Sequence, residues 1–540
     1  MNTPKIDDAS APPTMPSPSA VGWRQRSHDV TTPLPATVRP PSESEPVRRR
    51  IDAAGRTVVY TAVLLLTLLL LLLIQRLPWN GDLGLHAATI ERLRADLFHP
   101  GSPQVDADTD SPYYSPWTVL LALVAKATGA TAFTVLRIAA LITLPLLLTG
   151  IRHFTRTLST RRLAPPLAVL CLLLLWGPPL FAWSGFLELG SLALVISYPS
   201  TFVVALSFHF WALLTKALRT AASWKAFLGL GLMWAVIMLS HQFSGVVATF
   251  GALAVLLAAR PWPAKETWLK LGSGIVLGVA VIAVWPYYSF FSLFAFDGLE
   301  EIHHALYSDM PARLGLALLG VVALLLRWRR DKRDPLVILF ALGTLMVTAG
   351  GLTGHWSWGR ALPAAIIPAQ LAIALAIAEA GNRFVRNALA AVTGAALLFG
   401  AWTQSTALGY VFVGEALPQA VREKTWPSWQ GPEWVTRAVK RGETVMTTYR
   451  SGLMLPGYGI YTVAPGFDDI FLPDQKERHA AVERFFARDT SRKDQLDILH
   501  RYNAKWVLRW DPEGGLPSKD PALRLVDFGP DGQALYKVVG

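Results

Sequence analysis

Apolar runs of roughly 17–25 residues recur from residue 57 to residue 408, separated by short charged or Gly/Pro-bearing segments. Each run is long enough to cross a hydrocarbon layer of about 30 Å as an α-helix. The pattern predicts eleven spans, over 57–76, 130–151, 164–183, 191–215, 225–241, 243–259, 268–289, 312–327, 335–352, 361–379 and 388–408. Residues 115–128 are apolar but short for a span and predict an interfacial or re-entrant helix. Counting that region differently raises the number to twelve or thirteen.

From about Glu415 the chain turns polar, with Gly/Pro punctuation and short alternating elements. Helices are predicted over 432–441, 474–488 and 491–502, and strands over 443–449, 459–464, 505–510, 523–528 and 534–539. The first 50 residues are rich in Pro, Ser and Thr and poor in large apolar side chains, which predicts disorder. The fold class expected is thus an α-helical polytopic membrane protein with a small extracytoplasmic α/β domain. Its parts are a disordered cytoplasmic tail at 1–55, a transmembrane region at 56–410 with a long outer loop at 77–114, and the α/β domain at 415–540.

Charge placement orients the spans. Arg48, Arg49, Arg50 and Arg56 precede the first one and predict a cytoplasmic N-terminus. The loop at 152–163 carries Arg152, Arg156, Arg161 and Arg162, and the next basic cluster holds Arg327, Arg329, Arg330, Lys332 and Arg333. Lys216, Arg219, Lys225, Lys265, Lys270, Arg383 and Arg386 fall on the same side. The opposite side collects Asp82, Glu91, Asp96, Asp106, Asp108 and Asp110, then Asp297, Glu300, Glu301 and Asp309. Eleven spans place the α/β domain on that outer side of a plasma membrane.

Composition agrees. Of 540 residues 52% are apolar and only 16% charged, against about 25% charged in soluble domains. The net charge of +12 sits in the tail and membrane loops, because 415–540 is nearly balanced, so it implies no nucleic-acid partner. A single cysteine, Cys171, excludes an intramolecular disulfide framework and reads as a core residue.

Candidate chemistry centres on Asp82, just beyond the first span. An acid at a membrane boundary is costly to hold there without a task. Partial desolvation raises a carboxylate's pKa towards the range useful in a general base. The plain alternative is an N-cap for the helix that follows, whose Leu85, Ile90, Leu93 and Leu97 share one side while Glu91, Arg94 and Asp96 face away. Asp106, Asp108 and Asp110 offer oxygen ligands at a spacing that is not diagnostic, and no metal or other cofactor is predicted. Neither a Walker A nor a Rossmann glycine pattern is found.

The sequence Gly81-Asp82-Leu83-Gly84-Leu85-His86 after one span resembles the GT-C superfamily of polytopic glycosyltransferases, which use polyprenyl-phosphate sugars. The resemblance extends through Tyr113-Tyr114-Ser115-Pro116-Trp117, Ser240-His241-Gln242-Phe243-Ser244-Gly245 and Trp356-Ser357-Trp358-Gly359-Arg360. It reaches the α/β tail at Leu499-His500-Arg501-Tyr502-Asn503-Ala504-Lys505-Trp506. It implies transfer of a sugar from a polyprenyl-phosphate carrier to an extracytoplasmic glycan, lipid or protein acceptor. Asp82 is then the catalytic base, and Arg360, His86, His241, His355 and Tyr113 are substrate-binding. Many members carry paired acids near the loop start; here Asp82 stands alone. Arg360 reads equally as a side chain snorkelling to headgroups, and His241 as a packed helix contact. The turn Gly466-Phe467-Asp468-Asp469 could touch a glycan or serve the backbone alone. A transporter or flippase of lipid-linked glycans is the alternative function, although no matching halves are visible.

Overall fold

A computed structural model describes residues 44–78, 82–178, 183–295, 300–412, 414–423, 431–510 and 514–539. Contacts separate Met1–Ala54 from Gly55–Gly540, and everything below concerns the second unit. The disorder expected of residues 1–43 lies outside the described residues. Residues 44–55 belong instead to the first helix.

The helices in chain order are α1 (Ser44–Arg76), α2 (Leu83–Ala95), α3 (Pro116–Thr128), α4 (Ala132–Leu158), α5 (Ala164–Leu174), α6 (Leu189–Val195), α7 (Pro199–Arg219) and α8 (Trp224–Ser240). They continue as α9 (Gln242–Leu257), α10 (Lys265–Ala283), α11 (Glu300–His304), α12 (Met310–Leu314), α13 (Leu319–Arg330), α14 (Pro335–Thr353), α15 (Pro363–Glu379) and α16 (Arg383–Thr403). Every predicted span overlaps at least one of them. Among the described residues seven helices are long and apolar enough to cross a membrane, while α5, α8, α9 and α13 are shorter.

Proline and glycine account for two of the departures, while α8 and α9 divide at His241. Helix α5 stops ahead of Gly177 and Pro178, and the span expected from residue 191 divides into α6 and α7 at Pro199, whose ring cannot donate the hydrogen bond a continuous helix needs. The predicted 115–128 segment is α3, opened by Ser115 in a capping box with Thr118.

The turn Trp356–Ala361 and α15 form the central rod: 89% of its apolar window is buried, against 17% for α1 and 11% for α16. Arg360 lies at the end of that rod. Its turn is held by Glu300, which accepts from the Ser357 N–H at 2.8 Å and hydroxyl at 2.6 Å. Cys171 is buried in the bundle, as its apolar run implied.

The C-terminal region holds one mixed sheet of β1 (Thr444–Thr447), β2 (Tyr461–Thr462), β3 (Ala504–Trp510), β4 (Leu523–Phe528) and β5 (Gln533–Val538), in the order β2-β1-β3-β5-β4. β1 pairs in parallel with β2 and β3, while β5 runs antiparallel to β3 and β4. All five strands coincide with predicted ones. Helices Gln475–Phe486 and Arg492–Arg501 were also foreseen, whereas 432–441 yields only a 3-10 turn at Glu433–Arg437. Leu499, Phe485, Val507 and Tyr536 pack on one side of the sheet, and Trp434, Leu455, Val445 and Leu508 on the other.

Helix α2 joins bundle and sheet. Its residues from Leu83 through Leu93 are all buried, including Glu91 and Arg92. Of Glu91, Arg94 and Asp96, which were expected to face away from the apolar side, Asp96 is exposed and Arg94 half-buried, while Glu91 is buried against the C-terminal region. Glu91 lies 3.5 Å from Arg94 and 3.2 Å from Arg441 of the C-terminal region, and Arg92 lies across the Tyr461 ring. The polar side of the helix is covered by the sheet, so its charges find partners there rather than water. Gly84 makes the approach possible, since a β-carbon there would collide with the Leu453 carbonyl. Gly84→Val should accordingly destabilise the protein by about 1–3 kcal/mol, read as a lowered Tm in detergent together with faster proteolysis of the C-terminal region.

Candidate active site

Five interruptions of helical structure meet at one end of the bundle and leave a cavity of about 510 Å³. They are the start of α2, the segment ahead of α6, the α6–α7 junction, the α8–α9 break and the turn carrying Arg360. A wall from the C-terminal region, Tyr449 and the turn at 466–470, completes it. Breaks of this kind expose backbone and polar side chains inside an apolar bundle, where ligands bind between helices.

Asp82 occupies the N-cap position of α2, and its backbone oxygen accepts from the His86 N–H at 2.9 Å. Its carboxylate, however, makes no capping hydrogen bond. Capping is not what the side chain does. It lines the cavity instead, where burial pushes its pKa upward and the Arg360 guanidinium pulls it back.

Arg360 is 6% exposed and also lines the cavity. Ser184 Oγ accepts a hydrogen bond from its Nη2 at 3.0 Å, and its guanidinium lies 4.9 Å from the Phe243 ring centroid and 5.3 Å from that of Trp183. His303 closes the group, 5.2 Å from Trp183 and 5.3 Å from Phe243. This arginine is enclosed between rings rather than reaching out to headgroups, and the aromatic faces favour its charge.

His86 follows Asp82 by one helical turn and packs edge-on against Tyr198, at 4.6 Å between centroids. Burial lowers its pKa to about 3, so the imidazole is neutral. Its Nδ1 and the hydroxyls of Ser200 and Ser240 are buried without hydrogen-bond partners among the described residues, and all three side chains line the cavity. Unmade hydrogen bonds are costly inside a protein, so their clustering marks a place for a polar ligand.

His241 ends α8 in an extended conformation and caps α9, its Nδ1 accepting from the Ser244 N–H at 3.2 Å. Tyr113 completes the predicted set, and burial followed by the Asp82 charge raises its pKa, keeping the phenol a donor.

The structure thus gathers Asp82, Arg360, His86, His241 and Tyr113 around one space. His355 is not brought there with them: it is the exposed residue just before the 356–361 turn, stacked on Trp358 and outside the cavity lining, while Arg360 within the turn is buried. Asp106, Asp108 and Asp110 are exposed and do not line the cavity either. Among the described residues no three His, Cys, Asp or Glu side chains form a group able to hold a metal ion.

Sequence reasoning missed Tyr198, Ser200, Ser184, Trp183 and His303, all of which line the cavity. Asp468 and Tyr449 enter from the far end of the chain. For Ser240 and Phe243 the signal was present in the segment around His241.

No protein-family model matches the chain, and no curated protein matches it. Solved structures do. The arabinofuranosyltransferase AftD from Mycobacteria aligns at a TM-score of 0.53 and 14% identity, over 89% of this chain and 42% of that one. A second AftD structure gives a TM-score of 0.51, also at 14% identity, over 89% and 40%. The chain therefore shares its fold with that arabinofuranosyltransferase. The oligosaccharyltransferase of Archaeoglobus fulgidus aligns at a TM-score of 0.46 and 12% identity, over 89% of this chain and 74% of that one. The chain spans well under half of AftD, and the likeness is one of architecture.

Within this fold, the 466–470 wall is held by hydrogen bonds from the first loop. Gln104 donates to the Phe467 carbonyl at 2.7 Å and accepts from its N–H at 2.8 Å, and Ser111 Oγ donates to Asp469 at 2.6 Å. Burial raises the Asp469 pKa from 3.8 to about 6, against the opposing hydrogen bonds. The fold therefore favours its protonated form. The resulting stability is complete below about pH 4 and lost as the pH rises through about 6. Hydrogen-exchange protection of 462–471 should fall across that window, and Asp469→Asn should flatten the dependence.

Proposed function

We propose that the protein is an integral-membrane glycosyltransferase that moves a sugar from a polyprenyl-phosphate carrier to an acceptor hydroxyl, with Asp82 as general base. The observation that carries this reading is an uncapped Asp82 carboxylate sharing one cavity of about 510 Å³ with the buried Arg360. The fold shared with AftD supports the same class of chemistry.

In the proposed reaction the acceptor hydroxyl attacks the anomeric carbon and its proton passes to Asp82. The bond from that carbon to the carrier phosphate oxygen breaks, and the electron pair stays with the phosphate. Arg360 receives the charge that builds there; a guanidinium matches phosphate oxygens in a two-pronged geometry, and Ser184, Trp183 and Phe243 hold it in place beforehand. Neutral His86, His241 and the Tyr113 phenol supply hydrogen bonds to the sugar, and His86 and Tyr113 do so without adding charge that would compete with Arg360.

The cavity lies at the extracytoplasmic face in this reading, with the N-terminus in the cytoplasm, as the loop charges favour. Asp468 and Tyr449 give the C-terminal region a share in the acceptor side of the site.

Asp82→Asn should reduce transfer from a synthetic polyprenyl-phosphate sugar about 10²–10⁴-fold, the usual worth of a general base. Because the carboxylate caps nothing, Tm in detergent should stay unchanged. Retained turnover in that variant rejects the base. Passage of the carrier across sealed vesicles with no new glycosidic bond would replace the transferase by a flippase. Arg360→Lys keeps the charge but loses the planar fork, so kcat should fall more than KM rises in steady-state assays.

A further inference from the structure

The far end of the bundle holds a second cavity, of about 240 Å³, which the transferase reading does not use. Helices α7 and α9 begin at the first cavity and end at this one. At 1.5 Å per residue, α7 alone separates the two by about 30 Å, the thickness of a hydrocarbon layer. We propose that this second cavity binds the headgroup of an anionic phospholipid.

Three arginines surround it: Arg219 at the end of α7, Arg260 just beyond α9 and Arg333 in the α13–α14 connection. One acid, Asp331, lies among them and pairs with Arg260. Among the described residues Arg219 and Arg333 pair with no carboxylate. Both are held in place by backbone. Arg219 donates one hydrogen bond, at 3.1 Å to the Thr157 carbonyl, and Arg333 donates two to Leu257 O, at 3.0 and 2.8 Å. A guanidinium has five N–H donors, so each keeps several for a ligand. Phosphate oxygens match that fork.

The remaining wall is apolar, with Phe154, Leu158, Leu218 and Val255 at the ends of α4, α7 and α9. A soluble phosphate has no use for such a wall, whereas the glycerol and upper acyl chain of a lipid would cover it. Basic pockets between membrane helices recognise anionic headgroups by this combination. The plain alternative is that Arg219 and Arg333 only neutralise the carbonyl ends of α4 and α9.

Native mass spectrometry of the full chain in detergent separates these readings. It is titrated with phosphatidylglycerol, with phosphatidylcholine of the same acyl chains, and with phosphatidylglycerol plus inorganic phosphate. The wild type should retain phosphatidylglycerol about tenfold more tightly than phosphatidylcholine, with little displacement by inorganic phosphate. Arg219→Gln with Arg333→Gln should abolish the preference, while Arg152→Gln with Lys332→Gln, outside the cavity, should keep it. Equal retention of the two lipids by the wild type overturns the proposal, and so does an unchanged preference in the first variant. Displacement by inorganic phosphate overturns the lipid source. The wild-type arms stand even where the double variant fails to fold.

Discussion

The close approach of α2 to the Leu453 backbone, made possible by a hydrogen in place of a side chain at Gly84, is the contact on which the rest of the molecule depends. It buries a helix carrying Glu91 and Arg92 between an apolar bundle and a sheet, so those charges must be answered from the C-terminal region. Once they are, the start of α2 is fixed against both parts. Asp82 is then held at a cavity walled by both the bundle and the C-terminal region.

The first loop secures the same seam from the other side. Its backbone at Val105 pairs with Thr462 at the edge of the sheet, and Gln104 bridges both backbone groups of Phe467. An unpaired edge strand is thereby covered, and the 466–470 turn is held against the cavity. The C-terminal sheet is in this sense part of the candidate site's wall and support. Arg360 is held independently, by Glu300 on its turn and by Ser184 and two rings around its head. An acid and a cation supported by separate elements can keep their spacing while a substrate enters, which is the preorganisation that electrostatic stabilisation requires.

The two cavities divide the bundle chemically. One end gathers two acids, Asp82 and Asp468, with imidazoles, hydroxyls and the enclosed Arg360; the other gathers three arginines beside an apolar wall. The ends of α7 and α9 belong to both, so the same rigid rods define the spacing between them.

Apolar run length and Gly/Pro punctuation determined the helices and strands, since each depends on neighbours within a few turns. Eleven apolar segments, the short α3 and all five strands were legible in that way, and so were Asp82 and Arg360 as unusual charges near span ends. Other features depended on contacts between distant segments. No local pattern could show that the polar side of α2 is covered, that the capping position of Asp82 is used without its carboxylate, or that Asp468 and Tyr449 reach a cavity begun near residue 82. His355 marks the same limit in reverse, being near Arg360 in the chain yet outside the cavity. Sequence periodicity records which residues avoid water, but not which of them meet. That was decided by packing.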